Sequence, residues 1–166
     1  MLAITLLIFG IFSRLVVHIP NFTPVIAIAL FSGLYLKKSQ SIILPLALLA
    51  ITDSILGFHP TMPFVWGGMV LCVLIGQKLR EKRSTKTVFA GSLISAFTFF
   101  LVSNVGVWLV GGLYPLTIKG LADCFIMAIP FFKMELLSTL SYSFLLCGLY
   151  EAIATRIQNT RFSHVL

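Results

Sequence analysis

The sequence contains few charged residues. Only 10% of its 166 residues are charged and 58% are hydrophobic, whereas a soluble domain carries about 25% charged residues. This composition leaves too little polar surface to cover a water-facing domain of this size. The shortage excludes a soluble enzyme, a disordered regulator and a secreted disulfide scaffold, and it indicates an integral membrane protein.

Cysteines and catalytic motifs are also scarce. Cys72, Cys124 and Cys147 show no C-x-x-C or metal-ligand spacing, so we interpret them as small buried side chains. The chain has no H-E-x-x-H, G-x-S-x-G, P-loop or G-x-G-x-x-G motif. We therefore expect no catalytic residues, no cofactor and no metal site.

Long apolar runs are abundant. Six runs are separated by Pro, Gly, His or charged residues, at 2–19, 23–36, 41–57, 63–77, 88–112 and 129–155. At about 20 residues per crossing, they predict one transmembrane domain over residues 1–166 with a six-helix bundle. The second run, of 14 residues, would be about 21 Å long as a helix. It is either re-entrant or a short helix.

The basic residues are clustered. Nine of the twelve lie in three groups, which are Lys37–Lys38, the run of Lys78, Arg80, Lys82, Arg83 and Lys86, and the pair Arg156 and Arg161. Lys and Arg in short loops mark the cytoplasmic side, so an even number of crossings separates the groups and both termini are cytoplasmic. The run 78–86 has no interleaved aromatic residues, so we expect no nucleic-acid binding.

The connection from Gly111 to about Ile129 is the longest between runs. It holds Tyr114-Pro115, Lys119 and Asp123. Its length predicts a short interfacial helix near 117–128, which could act as a lid on the outer face.

Polar residues within the runs gather in the outer half of the predicted bundle. An ionisable group at membrane depth is costly and faces a partner inside the protein, so we expect Arg14 to pair with Asp53. Glu135 has Lys133 nearby, but residues two apart on a helix point to different faces. These positions predict an outward-facing pocket lined by Arg14, His18, Asn21, Asp53, His59, Trp66, Asn104 and Trp108. The alternative is an Arg14–Asp53 clip with a belt of interfacial tryptophans.

Several motifs resemble those of a known family. They are Arg14 with His18-Ile-Pro-Asn-Phe-Thr-Pro, Asp53-x-x-Leu-Gly-Phe-His59 and Ser103-Asn104-x-Gly106-x-Trp108. Together they resemble a largely uncharacterised family of small bacterial inner-membrane proteins, over most of the chain. This resemblance implies a multi-pass protein of the bacterial inner (cytoplasmic) membrane.

A looser likeness concerns transporters. The six-helix size and the segment T-P-x-x-A-x-A-L-x-x-G, which starts at Thr23 and is followed by Asp53, are similar to the S-components of energy-coupling factor (ECF) vitamin transporters. That likeness implies an S-component-like fold that binds a vitamin or micronutrient from the outer side, and one such group is linked to cobalamin uptake. It also implies an energising partner module, although Leu7 follows Ala3 where S-components carry a second alanine for docking.

Three functional hypotheses follow. In the first, the protein takes up a vitamin-like solute from the bilayer's outer side, with Arg14, Asp53 and Asn104 as polar anchors. His18 and His59 would lie at the rim, and Trp66 and Trp108 would offer stacking surfaces. In the second, it is a structural or accessory subunit of a larger membrane complex. In the third, it is a small membrane enzyme acting on lipid, which needs His18 or His59 to work with Asp53.

Overall fold

The protein is all-helical over the residues that the structure describes. The computed structural model describes residues 2–16 and 19–157. Within these ranges the backbone forms six α-helices, a single 3-10 turn at Arg80–Lys82 and no strand. The six helices are α1 (Leu2–Val16), α2 (Val25–Tyr35), α3 (Lys38–Leu56), α4 (Met62–Leu79), α5 (Thr85–Val110) and α6 (Ile118–Ile157).

Three of the helical segments are long and apolar enough to cross a membrane. They are Lys38–Leu56, Met62–Lys82 and Thr85–Val110. Short connections join successive helices, which makes neighbours antiparallel. We call the end of the bundle that holds the α3–α4 connection the Asp53 end, and the end that holds the α4–α5 connection the Arg80 end.

The short helix α2 lies at the centre of the bundle. It has 11 residues, which makes it about 16 Å long. All ten residues of Val25–Leu34 are buried, and α2 contacts each of the other five helices. A helix that is apolar on every side is stable only when protein surrounds it. The second apolar run is therefore a central core helix.

Two glycines bring α2 and α4 into backbone contact. A Cβ atom added to Gly33 would lie 2.8 Å from Gly76 Cα, and one added to Gly76 would lie 2.9 Å from Gly33 Cα. Neither distance leaves room for a side chain. The Ala29-x-x-x-Gly33 spacing in the sequence thus serves close packing of the kind that small residues allow between helices.

Arg80 satisfies the carboxyl end of α2. Its Nε and Nη2 atoms donate to the Gly33 carbonyl at 3.1 and 2.7 Å, and Nη2 also donates to the Leu36 carbonyl. The last four carbonyls of a helix have no partner within the helix, and a cation is favourable there. One member of the basic run is therefore a helix cap within the fold.

Replacing Arg80 by alanine is expected to lower the free energy of unfolding by about 1.5–3 kcal/mol, the range for hydrogen bonds to charged groups. The measurement is thermal unfolding of the detergent-purified protein. Lys78→Ala removes an exposed charge from the same run and should change little. Equal losses in both variants would contradict the capping role.

The helix α6 differs from the sequence-based prediction. A separate interfacial helix at 117–128 was expected, but residues 118–157 form one continuous helix of 40 residues with Pro130 inside it. Phe125 and Phe132, on either side of Pro130, both pack on Phe100 of α5, with ring centroids 5.6 and 4.6 Å apart. Proline removes one backbone donor, and packing on α5 holds both halves in line. The structure therefore shows no separate lid helix in this segment.

Candidate functional site

An ion pair joins α1 to α3 at the Asp53 end. Arg14 Nη2 lies 2.7 Å from Asp53 Oδ1, as the sequence predicted. Arg14 Nη1 donates to Thr52 Oγ1 at 2.6 Å, and Trp66 Nε1 donates to Asp53 Oδ2 at 2.9 Å. Both carboxylate oxygens of Asp53 are thus occupied, and its side chain is only 1% exposed. These four residues form a closed polar cluster, the Asp53 cluster, that connects α1, α3 and α4.

Two adjoining cavities lie beside this cluster. Their volumes are about 200 and about 290 Å³. Four residues line both of them, namely Asn21, Val65, Phe99 and Glu135. We call the joined space the Glu135 cavity. It is walled by residues from all six helices and by the turn before α2.

The turn before α2 is shaped by Asn21. Asn21 has a φ of 56°, a left-handed conformation that asparagine tolerates better than most residues. The Phe22 N–H donates to the Ile19 carbonyl at 3.1 Å, which closes the turn. Ser138 Oγ of α6 lies 3.4 Å from the Asn21 carbonyl oxygen and 3.2 Å from that of Thr23. The turn therefore contacts α6, and Asn21 lies at the cavity.

The structure brings five of the eight sequence-predicted site residues together. Arg14, Asn21 and Asn104 line the Glu135 cavity. Asp53 and Trp66 reach it through Arg14, as members of the Asp53 cluster. Asn104 Nδ2 donates to the Phe100 carbonyl at 2.7 Å, which leaves its side-chain oxygen available to a donor.

The other three candidates lie elsewhere. His59 is in the exposed α3–α4 connection, with Nδ1 2.7 Å from Thr61 Oγ1. Trp108 Nε1 donates to the Pro115 carbonyl at 3.0 Å and does not line the Glu135 cavity. His18 falls outside the described residues. The pocket in the structure thus includes fewer of the predicted residues, and it does not extend to His59 in the α3–α4 connection.

Glu135 is the lining residue that the prediction missed. It lies in both parts of the cavity, and its Oε1 atom is buried without a hydrogen-bond partner in the described part of the chain. No ion pair with Lys133 is found among residues 2–16 and 19–157. The signal in the sequence was a carboxylate within the apolar run 129–155. The only charged residue close to Glu135 in that run is Lys133, which lies two positions away on another face of α6.

Comparison with known proteins assigns the chain to a family. The model of a family of unknown function (DUF6580) matches residues 1–161. The chain belongs to the DUF6580 family. No curated protein and no solved structure matches it. Because the DUF6580 description carries no activity, the likeness to S-components stays a prediction.

The side chains at this site in the DUF6580 protein differ in how far they are already engaged. Both oxygens of Asp53 are engaged by Arg14 and Trp66, so Asp53 is not placed to act as a base with His59. No group of three or more His, Cys, Asp or Glu side chains suited to a metal ion is found in residues 2–16 and 19–157. The DUF6580 cavity is a small, partly open space lined by amide, guanidinium, carboxylate and phenyl groups.

Proposed function

We propose that the protein is a multi-pass protein of the bacterial inner membrane that binds a vitamin or other small micronutrient for uptake, in the manner of an S-component. The observation that carries this proposal is the Glu135 cavity, a partly open space between apolar helices that is lined by apolar side chains and a few polar ones. Ligand sites are concave and mostly apolar, with a few convergent polar groups. The Glu135 cavity fits this description.

The apolar exterior supports a membrane location. Ile4, Ile8 and Phe12 form an i, i+4 ridge along α1 and are each 60–63% exposed. Large exposed apolar side chains also occur on the other long helices, for example Ile43, Ile55 and Phe97. A contiguous apolar surface of this kind marks contact with lipid or protein. Together with three segments long enough to span, it favours a bilayer around the bundle.

The distribution of charge supports an orientation. The Arg80 end carries the basic groups in the α2–α3 and α4–α5 connections, which are Lys37, Lys38, Lys78, Arg80, Lys82, Arg83 and Lys86. By the positive-inside rule, this end faces the cytoplasm. The Asp53 end, with the Glu135 cavity, then faces the outside, where a solute arrives.

The size of the cavity limits the size of the solute that can bind. The two parts measure about 200 and 290 Å³, near the lower end of the roughly 300–1,000 Å³ range of small-molecule sites. A corrinoid such as cobalamin is far larger than this space. We therefore propose a small, compact vitamin or micronutrient as the solute.

A thermal-shift screen of the detergent-purified protein against vitamins and related micronutrients tests the proposal. We expect at least one small solute to raise the melting temperature. At a concentration one hundred times its Kd, the solute should increase the free energy of unfolding by about 2.7 kcal/mol. Val65 lines both parts of the cavity, so Val65→Phe should fill it and abolish the shift.

The matched control is Ile55→Phe. This change adds the same ring on α3 at a site that is 62% exposed, and the shift should persist. The proposal fails if no solute stabilises the protein, or if a solute stabilises Val65→Phe as well as the unaltered chain.

A further inference from the structure

The Glu135 cavity contains an uncompensated carboxylate. Oε1 of Glu135 is buried and has no hydrogen-bond partner within the described residues. A buried charge without a partner is costly, and the cost is larger at membrane depth. The cost is removed either by protonation of the carboxyl group or by a positive charge against the oxygen, and a cationic solute favours the second. The cavity is therefore suited to receive a cation.

The nearby arginine does not supply that charge. Arg14 also lines the cavity, but its Nη2 is paired with Asp53 and its Nη1 donates to Thr52. Its charge is thus balanced within the Asp53 cluster. An anionic solute would compete with Asp53 for Arg14 and would also face Glu135, so the charges on the cavity wall disfavour anions.

Phenyl rings surround the Glu135 side of the cavity. Phe99, Phe100, Phe131 and Phe132 line its larger part, and the Phe100 and Phe132 ring centroids are 4.6 Å apart. The faces of aromatic rings attract cations, most strongly where water is excluded. A carboxylate combined with several phenyl rings is the chemistry that recognises ammonium groups.

We propose that the solute is a small organic cation, a protonated amine or a quaternary ammonium with an aromatic or apolar portion, whose charge lies against Glu135. The apolar portion packs on the phenyl rings, and in a protonated amine the N–H groups also donate to the side-chain oxygen of Asn104. This inference rests on the proposed function and adds the chemical class of the solute.

Three probes of similar size and different charge test this inference. They are benzyltrimethylammonium, benzyl alcohol and benzoate, added to the full chain in uncharged detergent at low salt, with binding measured by calorimetry and thermal shift. We expect the ammonium probe to bind most tightly. Glu135→Gln, which keeps the shape and removes the charge, should weaken its binding at least tenfold, and Glu135→Asp should retain part of it.

Glu151→Gln is the matched control, because Glu151 lies on the same helix at the Arg80 end, where it accepts from Tyr35 at 2.8 Å. It should leave binding of the ammonium probe unchanged. Preference for benzoate or benzyl alcohol, unaltered binding in Glu135→Gln, or binding of none of the probes would overturn the inference. A neutral or anionic vitamin whose stabilisation is lost in Val65→Phe would overturn the cation class and still support the proposed function.

Discussion

Replacing Asp53 by alanine is expected to destabilise the protein by about 3 kcal/mol or more, in the lower part of the range for breaking a buried ion pair. The change leaves the Arg14 guanidinium without its counter-charge and the Trp66 N–H without its acceptor. Arg14 is 19% exposed, so some water can reach it, which places the cost near the lower limit. Binding of a cationic solute should also weaken, because the unpaired charge of Arg14 would then lie at the cavity.

The measurement is the melting temperature and the yield of monodisperse protein in detergent. The double variant Arg14→Leu with Asp53→Leu removes both charges, so it should be more stable than Asp53→Ala although it departs further from the native sequence. If the double variant is the less stable of the two, the ion pair is not the cause of the loss. Asp123→Ala, which alters a carboxylate at the same end but outside the Asp53 cluster, should be nearly neutral.

Gly76→Ala is expected to be comparably damaging. Its new Cβ atom would meet the Leu30 carbonyl and would lie 2.9 Å from Gly33 Cα. Overpacking costs about 1–3 kcal/mol when side chains can shift. Here the obstacles are backbone atoms of a helix buried on all sides, so we expect a loss of about 3 kcal/mol or more, measured by thermal unfolding.

Gly67→Ala provides the control within the same helix. A Cβ atom at Gly67 meets nothing within 4 Å, and alanine favours a helix over glycine by about 0.8–1 kcal/mol. This variant should be as stable as the original chain or slightly more so. A similar loss in both variants would show that α4 needs glycine for a reason other than contact with α2.

The features that could be predicted from the sequence depend on composition and on charge pairing. Six apolar runs predicted the six helices, because each run is a mainly apolar stretch of helical length. The Arg14–Asp53 pair was predictable for a different reason. Two opposite charges at similar depth in apolar helices have few other ways to be neutralised.

The features that could not be predicted depend on packing between distant segments. The residues of run 23–36 do not indicate that five helices surround it. The basic run likewise does not distinguish Arg80, the cap of α2, from its neighbours. The position of Glu135 likewise depends on the rotation of α6, which is determined by contacts such as that between Ser138 and the Asn21 turn. Local sequence signals do not contain these contacts.

Pro130 lies inside α6 and does not mark a boundary between two helices. The sequence predicted a sixth run over 129–155, separate from an interfacial helix near 117–128, and proline disfavours helical geometry at the residue before it. In the structure, Phe125 and Phe132 pack on one ring of α5, and this continuous contact outweighs the single lost hydrogen bond. The candidate lid therefore becomes the first three turns of α6.

The contact between Gly33 and Gly76 also limits how the bundle can open. No side chain separates the two backbones at this point, so sliding of α2 past α4 would bring backbone atoms into collision. Under the proposed uptake function, release of a solute would then require the bundle to separate on another side of the cavity. The α6 wall is a candidate for this separation, because its contacts with the turn before α2 are made by side chains, namely the Ser138 hydroxyl and the Tyr142 ring against Phe22.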